Sequence, residues 1–182
     1  TDQYGAEWAA AGIKAKGIEE ASAGVGEEWI SGPWAMLASL TQLIKTLEAL
    51  DKGESRTPEG FRTRQDGQLI AKVFPTNVFD HLLLNGVKGE VWMQPGITRN
   101  NLDQSTAVFY KQTSPKGRVT LVLGAGNISS IAPLDILYKL YAEGSVCLLK
   151  MNPVNDYLGP VFEKIFSSFI REGFVKLVYG GA

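Results

Sequence analysis

The sequence has little cysteine, no excess of charge of either sign and no long apolar run. Its only cysteine is Cys147, so no internal disulfide can form, and a reducing, cytoplasmic compartment is expected. Lysine plus arginine number 18 and aspartate plus glutamate 19, a balance that predicts no nucleic-acid partner. No apolar stretch reaches the roughly 18 residues of a membrane span, and residues 1–15 lack a secretory signal pattern, so no membrane partner is expected.

Metal ligands are also scarce. The single histidine, His81, has no cysteine or second histidine beside it, which predicts a structural residue and no metal site. The four tryptophans are spaced like packing residues and form no platform for nucleic-acid bases.

The amino-terminal part of the chain is rich in helical signals. Residues 1–26, with much alanine and glycine, predict a loosely packed arm that Trp8 helps to anchor. Ser31-Gly32-Pro33 predicts the start of a helix, with proline near its first position. Apolar residues at spacings of three and four then continue that helix to about Gly53.

A less regular region follows this helix. Residues 52–67 are polar and predict an exposed loop, and residues 68–84 are apolar but ambiguous between helix and strand. We therefore assign residues 1–89 to a mainly helical amino-terminal segment.

Two short strands are predicted next, over residues 90–94 and 106–111. Together with the turn at residues 115–117 they suggest a hairpin segment, of the type used in oligomerisation, over residues 90–117.

The pattern changes again at Arg118. Residues 118–123 form a nearly continuous β-branched and apolar run, typical of a strand buried on both faces. Alternating helices and strands follow: a helix over 133–143, a strand over 145–151, a helix over 156–172 and a strand over 175–179. This order predicts right-handed crossovers in one parallel sheet. The predicted fold class is α/β, with a Rossmann-like parallel βαβαβ unit over residues 118–182, preceded by a helical segment and a hairpin. The unit is expected to be incomplete.

The turn after the first of these strands is a candidate ligand site. Gly124-Ala125-Gly126-Asn127 comes close to a dinucleotide fingerprint, with Ser129 in the place of a third glycine. Glycines allow a tight turn and a close backbone approach to a ligand. Parallel sheets bind ligands at this end of their strands. The alternative is a strand-to-helix turn that binds nothing.

The end of the second strand argues against a simple Rossmann dehydrogenase. Such enzymes bind the cofactor ribose with an acidic residue at this point. Here the strand ends at Lys150, and no acid occurs before Asp156. Lys150 would contact a nucleotide ribose or phosphate, and the alternative is a solvated surface lysine.

These features together resemble the aldehyde dehydrogenase superfamily. Its members carry an apolar strand ending in Pro-Trp-Asn, a helix, a strand ending in Lys-Pro-Ser-Glu, a second helix, and a strand ending in a glycine-rich turn. Asn127 falls on the asparagine of the first motif and Lys150 on the lysine of the second, at the family's spacing of 23 residues (150 − 127). The match covers residues 118–182, about a third of the chain. Residues 112–119 further resemble the family's Glu-Pro-Leu-Gly-Val segment.

Two positions depart from the family motifs. Ala125-Gly126 stands where relatives have Pro-Trp, and Pro153 stands where they have the acid. In NAD-preferring relatives that acid holds the adenosine ribose, so the cofactor implied here is NAD or NADP. The glycine-rich strand ends are also similar to those of bacterial fatty-acyl-CoA reductases, which share the superfamily fold.

The resemblance implies a cysteine that attacks an aldehyde and an oxyanion held by a backbone N–H and an asparagine amide. It assigns that catalytic asparagine to Asn127. Cys147 lies in the middle of a predicted buried strand, so we expect it to serve in packing and the nucleophile to lie outside this chain. The resemblance implies cofactor contacts from Gly124, Ala125, Gly126, Lys150, Asn152, Gly180 and Gly181.

The leading hypothesis is the amino-terminal, cofactor-binding portion of an aldehyde dehydrogenase-like oxidoreductase. The intact enzyme would oxidise an aldehyde or reduce an acyl-thioester with NAD or NADP and would form a homo-oligomer, while these 182 residues alone would be inactive. One alternative is a stand-alone nucleotide-binding or scaffold domain without catalysis. Another is a dehydrogenase of the simpler Rossmann type.

Overall fold

The computed structural model describes residues 2–54, 58 and 60–181. These residues divide into two compact units. The first joins residues 2–45 to residues 111–181, and the second comprises residues 46–110. This division differs from the three segments expected from the sequence, because the amino-terminal arm belongs to the same unit as the βαβαβ region.

The elements alternate along the chain as follows. The described α-helices are α1 (Gly5–Lys16), α2 (Gly24–Trp29), α3 (Ala35–Asp51), α4 (Val78–Leu83), α5 (Leu102–Ser105), α6 (Ile131–Tyr141), α7 (Gly159–Ile165) and α8 (Ser167–Arg171). The strands are β1 (Gly60–Thr63), β2 (Leu69–Phe74), β3 (Gly89–Trp92), β4 (Arg118–Leu123), β5 (Ser145–Lys150) and β6 (Val175–Val178). None of these helices is both long and apolar enough to cross a membrane.

The first unit contains the predicted βαβαβ arrangement. Strands β4, β5 and β6 are parallel and adjacent in that order, with α6 and the α7–α8 pair as crossovers. Gly144 and Gly173 follow the two crossover helices in the left-handed region, with φ of 62° and 79°, as expected for glycines that end helices. The prediction of an α/β unit with a parallel sheet is confirmed.

Only one face of this sheet lies against the core. Val122, Leu149 and Val175 are buried with residues of α6 and α7. On β4 the alternate residues are exposed on the other face: Val119 by 77%, Leu121 by 56% and Leu123 by 67%. The prediction that residues 118–123 are buried on both faces is therefore wrong. Right-handed crossovers in a sheet whose strand order follows the chain place both helices on the same face.

The amino-terminal arm is part of this core, so the expectation of loose packing is wrong. Trp8 of α1 is only 1% exposed, and its ring meets Phe162 of α7 edge-on, with the ring centroids 5.0 Å apart. Met36 of α3 is equally buried. Burial of a tryptophan ring is one of the largest apolar contributions that a single side chain can make.

The helix predicted to start at Ser31-Gly32-Pro33 does not start there. A π-helical segment, Ile30–Trp34, joins α2 to α3, and Pro33 lies inside it. Proline has no N–H to donate, and the wider π turn absorbs the resulting gap in the hydrogen-bond ladder. At its other end α3 stops at Asp51, and Gly53 follows with φ of 70°, close to the predicted end.

The second unit is built on an antiparallel sheet with the order β1-β2-β3. The ambiguous residues 68–84 form a strand, β2, and a short helix, α4. The side chain of Asn77 caps this helix by accepting a hydrogen bond from the N–H of Asp80 at 3.0 Å. Strand β1 falls within residues 52–67, which we had predicted to be a loop. Residues 55–57 and 59 of that loop lie outside the described residues.

The strand predicted over residues 106–111 is wrong. α5 ends at Ser105, the chain bends at residues 106 and 107, and a 3-10 turn, Val108–Lys111, follows; Ala107 has a φ of 49°. The antiparallel partner of β3 is β2, which precedes it in the sequence. Strand-like side chains alone do not fix a strand, because strand propensity depends on packing against neighbouring strands.

We predict unequal losses of stability for two leucines on the two faces of the parallel sheet. Leu149→Ala removes a fully buried side chain and should lower the free energy of unfolding by about 2–5 kcal/mol. Leu121→Ala, on the exposed face, should change it by less than about 1 kcal/mol. Urea denaturation followed by circular dichroism measures both. Equal losses would contradict the one-sided core.

Candidate functional site

The carboxyl ends of the three parallel strands bring the predicted site segments together. Leu123, at the end of β4, pairs in register with Lys150, which pairs with Val178 of β6. The turn after β4, the loop after β5 and the glycines after β6 therefore leave the same edge of the sheet. This edge is where parallel α/β sheets bind ligands.

The two glycines of the turn are required by the loop that follows β5. A Cβ on Gly124 would lie 2.9 Å from the backbone N of Asn152 and 3.1 Å from the carbonyl O of Lys150. One on Gly126 would lie 3.0 Å from Oδ1 of Asn152. The Gly124 N–H also donates to the Lys150 carbonyl at 2.9 Å. The glycines thus allow two strand-end loops to pack backbone against backbone.

Two asparagines of that loop hold the turn. The Asn152 side chain donates to the Gly124 carbonyl at 3.0 Å and accepts from the Val154 N–H at 2.9 Å. Asn155, which is buried, donates to the Ala125 carbonyl at 2.9 Å and accepts from the Tyr157 hydroxyl at 3.3 Å. The structure therefore places Asn152 as a brace of the turn, and its assignment as a cofactor contact stays a prediction.

Asn155 was not identified from the sequence. The available signal was the pair of asparagines on either side of Pro153-Val154, since asparagine side chains commonly hydrogen-bond nearby backbone in turns. The spacing did not reveal that the Asn155 amide would cross to the turn after β4.

Asn127 lies at the exposed tip of this turn. Its neighbours further along the chain, Ser129 and Ser130, are buried. Ser129 accepts a hydrogen bond from the Trp8 indole at 3.0 Å, and the Ser130 N–H donates to the Ser31 carbonyl at 3.3 Å. Within the described part of the chain, the Asn127 side chain itself has no hydrogen-bond partner, so its amide is free to meet a ligand.

Lys150 lies half-buried on the uncovered face of the sheet, beside Leu123. Among residues 2–54, 58 and 60–181, its ammonium group forms no ion pair. A lysine without a carboxylate partner can offer its charge and its N–H donors to an anionic ligand.

The third strand ends in a tyrosine and two glycines. The Tyr179 hydroxyl donates to the Glu163 carboxylate at 2.9 Å, and the Tyr179 side chain lies so close to Gly159 that a Cβ there would require the tyrosine to shift. Burial, together with this hydrogen bond, raises the pKa of the Tyr179 phenol. Gly180 follows with a φ of 150°, which favours glycine. Both Gly180 and Gly181 are exposed at the edge.

Cys147 is buried in the middle of β5, as predicted. Its Sγ faces the carbonyl oxygens of Ser145 at 3.7 Å and Ile136 at 3.9 Å. Burial raises the pKa of this thiol, so little thiolate forms near neutral pH. His81 lies exposed on α4, and the described residues contain no group of three side chains able to hold a metal ion.

No family model matches this sequence, and neither curated proteins nor solved structures show a match. The fold defines an α/β protein whose three-stranded parallel sheet is compatible with a Rossmann-like unit. Any narrower assignment depends on the residues at the carboxyl edge of that sheet.

Gly124→Ala should destabilise the first unit. The added methyl group meets backbone atoms of Lys150 and Asn152, which cannot move aside as a side chain would, so we expect a loss of about 1–3 kcal/mol. The matched control is Gly26→Ala in α2, where nothing lies within 4 Å of the new Cβ. That change should be neutral or stabilising by up to about 1 kcal/mol. Thermal melts compare them, and a neutral Gly124→Ala would contradict the close packing of the two loops.

Cys147 should react poorly with a disulfide reagent at pH 8. Because burial raises its pKa, its thiolate fraction at that pH is smaller than that of an accessible cysteine, and the rate should rise as pH increases. Stopped-flow measurement with Ellman's reagent should show a large acceleration on unfolding in guanidinium. A native rate equal to the unfolded rate would indicate an accessible thiol.

Proposed function

We propose that this chain binds a nicotinamide dinucleotide, NAD or NADP, at the carboxyl edge of the β4–β5–β6 sheet. In this proposal it is the cofactor-binding portion of an aldehyde dehydrogenase-like oxidoreductase. One observation carries the proposal. The Asn127 amide and the Lys150 ammonium lie at the same edge of the sheet, and neither has a partner among the described residues.

The chemistry of this edge suits a dinucleotide. Lys150 offers three N–H donors and a positive charge to a phosphate or a ribose hydroxyl. The two glycines after Tyr179 present backbone without side chains, which permits close approach of a ligand. From Lys150 to Asn155 the loop carries no acidic residue, so a 2′-phosphate would meet no like charge there. NAD and NADP are therefore both compatible with the loop.

The proposed roles divide between cofactor and substrate. The cofactor, when bound, accepts or donates a hydride. Lys150 would hold and orient it, and the Nδ2 group of Asn127 would donate a hydrogen bond to the oxyanion that forms when a thiol attacks the substrate carbonyl. One preorganised donor of this kind typically contributes on the order of 10²–10³ in rate.

The attacking thiol does not come from Cys147, because that side chain is buried in β5 with a raised pKa. The residues of this chain would therefore form the binding half of the site, and we expect no turnover of aldehydes by the chain alone. An aldehyde or acyl-thioester substrate, and a homo-oligomeric intact enzyme, belong to the same proposal.

The burial of the only thiol also favours a second candidate, a nucleotide-binding or scaffold domain without catalysis. The two candidates differ in ligand preference. An oxidoreductase portion should bind NAD or NADP more tightly than ATP, because only the dinucleotides carry a nicotinamide. A general nucleotide-binding domain should bind ATP at least as well.

Isothermal titration calorimetry of the chain with NAD⁺, NADP⁺ and ATP tests the proposal. Lys150→Met should weaken dinucleotide binding roughly tenfold or more, since a hydrogen bond from a charged group contributes about 1.5–3 kcal/mol. The matched control is Lys176→Met, an exposed lysine of β6 that is further from the carboxyl edge and pairs with Leu148. Its dinucleotide affinity should equal that of the unmodified chain.

Two results would count against this proposal. Absence of binding by both dinucleotides would remove the cofactor role. Binding that Lys150→Met leaves unchanged would show that the ligand lies elsewhere on the chain.

A further inference from the structure

The loop that presents Asn127 is held on both sides by different parts of the first unit. On one side, Asn152 and Asn155 bind the carbonyls of Gly124 and Ala125. On the other side, the amino-terminal arm, residues 2–34, binds Ser129 and Ser130. The arm is far from this loop in sequence, since Trp8 and Ser129 are 121 positions apart.

The contact between the arm and the loop is buried and specific. The Trp8 Nε1–H donates to the Ser129 Oγ at 3.0 Å, and the two residues are 1% and 4% exposed. Gly32 closes over this hydrogen bond. A Cβ at that position would lie 2.9 Å from the Ser129 Oγ and 3.0 Å from the Trp8 Nε1. Any larger residue would push against both partners.

The π-helical segment supplies a second contact. In a regular α-helix the Ser31 carbonyl would accept from the N–H of Ala35. Here the Ala35 N–H donates to the Gly32 carbonyl, and the Ser31 carbonyl accepts from the N–H of Ser130 at 3.3 Å. The irregular turn around Pro33 thus presents a backbone acceptor to the loop.

The arm is itself anchored on the rest of the first unit. The Trp8 ring packs edge-on against Phe162, and Glu7 forms an ion pair with Lys164 of α7 at 2.5 Å. Within the arm, the buried carboxylate of Glu28 pairs with Lys16, also at 2.5 Å. Trp8 is therefore held against α7 by a buried aromatic contact.

We propose that Trp8, with the Ser31 carbonyl, is a positioning element for Asn127. The arm holds Ser129 and Ser130, the asparagines after β5 hold Gly124 and Ala125, and only Gly126, Asn127 and Ile128 lie between the two anchors. A donor that stabilises developing charge must be held to within about 0.5 Å before the ligand arrives. The purpose of this device rests on the proposed function, but the coupling of the arm to the loop does not.

The test removes the hydrogen bond by two independent substitutions. Trp8→Phe keeps an aromatic ring against Phe162 but has no N–H, and Ser129→Ala removes the acceptor. Hydrogen–deuterium exchange of residues 125–131 should rise roughly five- to tenfold in each variant. Loop exchange in the double variant should be little faster than in either single variant, because both substitutions remove the same hydrogen bond.

Two controls separate positioning from general destabilisation. Trp34→Phe changes an exposed tryptophan, and neither stability nor loop exchange should respond. Ile136→Val removes one buried methyl group from α6 and should lower the melting temperature. It should not change the exchange that residues 125–131 undergo by local opening, without global unfolding of the chain. Because Gly124, Ala125 and Gly126 of the same loop are predicted cofactor contacts, dinucleotide affinity should also weaken in Trp8→Phe and Ser129→Ala, and it should stay unchanged in both controls.

The outcomes distinguish the two proposals. Loop exchange that is unchanged in Trp8→Phe and Ser129→Ala, or that rises equally in Ile136→Val, overturns the positioning role. If the unmodified chain binds neither NAD⁺ nor NADP⁺ while loop exchange rises in Trp8→Phe and Ser129→Ala, the proposed function fails and the coupling of the arm to the loop stands. If the unmodified chain binds a dinucleotide while loop exchange is unchanged in Trp8→Phe and Ser129→Ala, the proposed function stands and the positioning role fails.

Discussion

The carboxyl edge of the parallel sheet depends on the close packing of the turn after β4 against the loop after β5. Gly124 and Gly126 make this contact possible, and the Asn152 and Asn155 amides hold it with hydrogen bonds to carbonyls of the turn. With the turn fixed in this way, Asn127 is carried to an exposed position at the edge.

The one-sided core has a consequence for this edge. Helices α6 and α7 pack on one face of the sheet, and β4 exposes Val119, Leu121 and Leu123 on the other. Lys150 belongs to that uncovered face, at its carboxyl end. It is half-buried there, beside Leu123.

Much of the carboxyl-terminal part of the fold could be predicted from the sequence, because its signals are local. Apolar runs of five to seven residues, amphipathic helices and terminal glycines specify β4 to β6 and the crossovers between them. The amino-terminal part was harder to predict. Its π-helical segment depends on the placement of Pro33 within a continuous helix, and residues 106–111 carry strand-like side chains but have no strand beside them.

By itself the sequence determined the order of strands and helices after Arg118, the glycine-rich turn, and the positions of Asn127 and Lys150 at strand ends. Each of these follows from residue type and spacing within a few positions of the chain. The tertiary structure decided that Asn155 braces the turn, that Trp8 reaches Ser129, and that one sheet face stays uncovered. The two contacts join residues that are 30 and 121 positions apart in the chain. The uncovered face depends on the side of the sheet on which the crossover helices pack. No local sequence pattern encodes either.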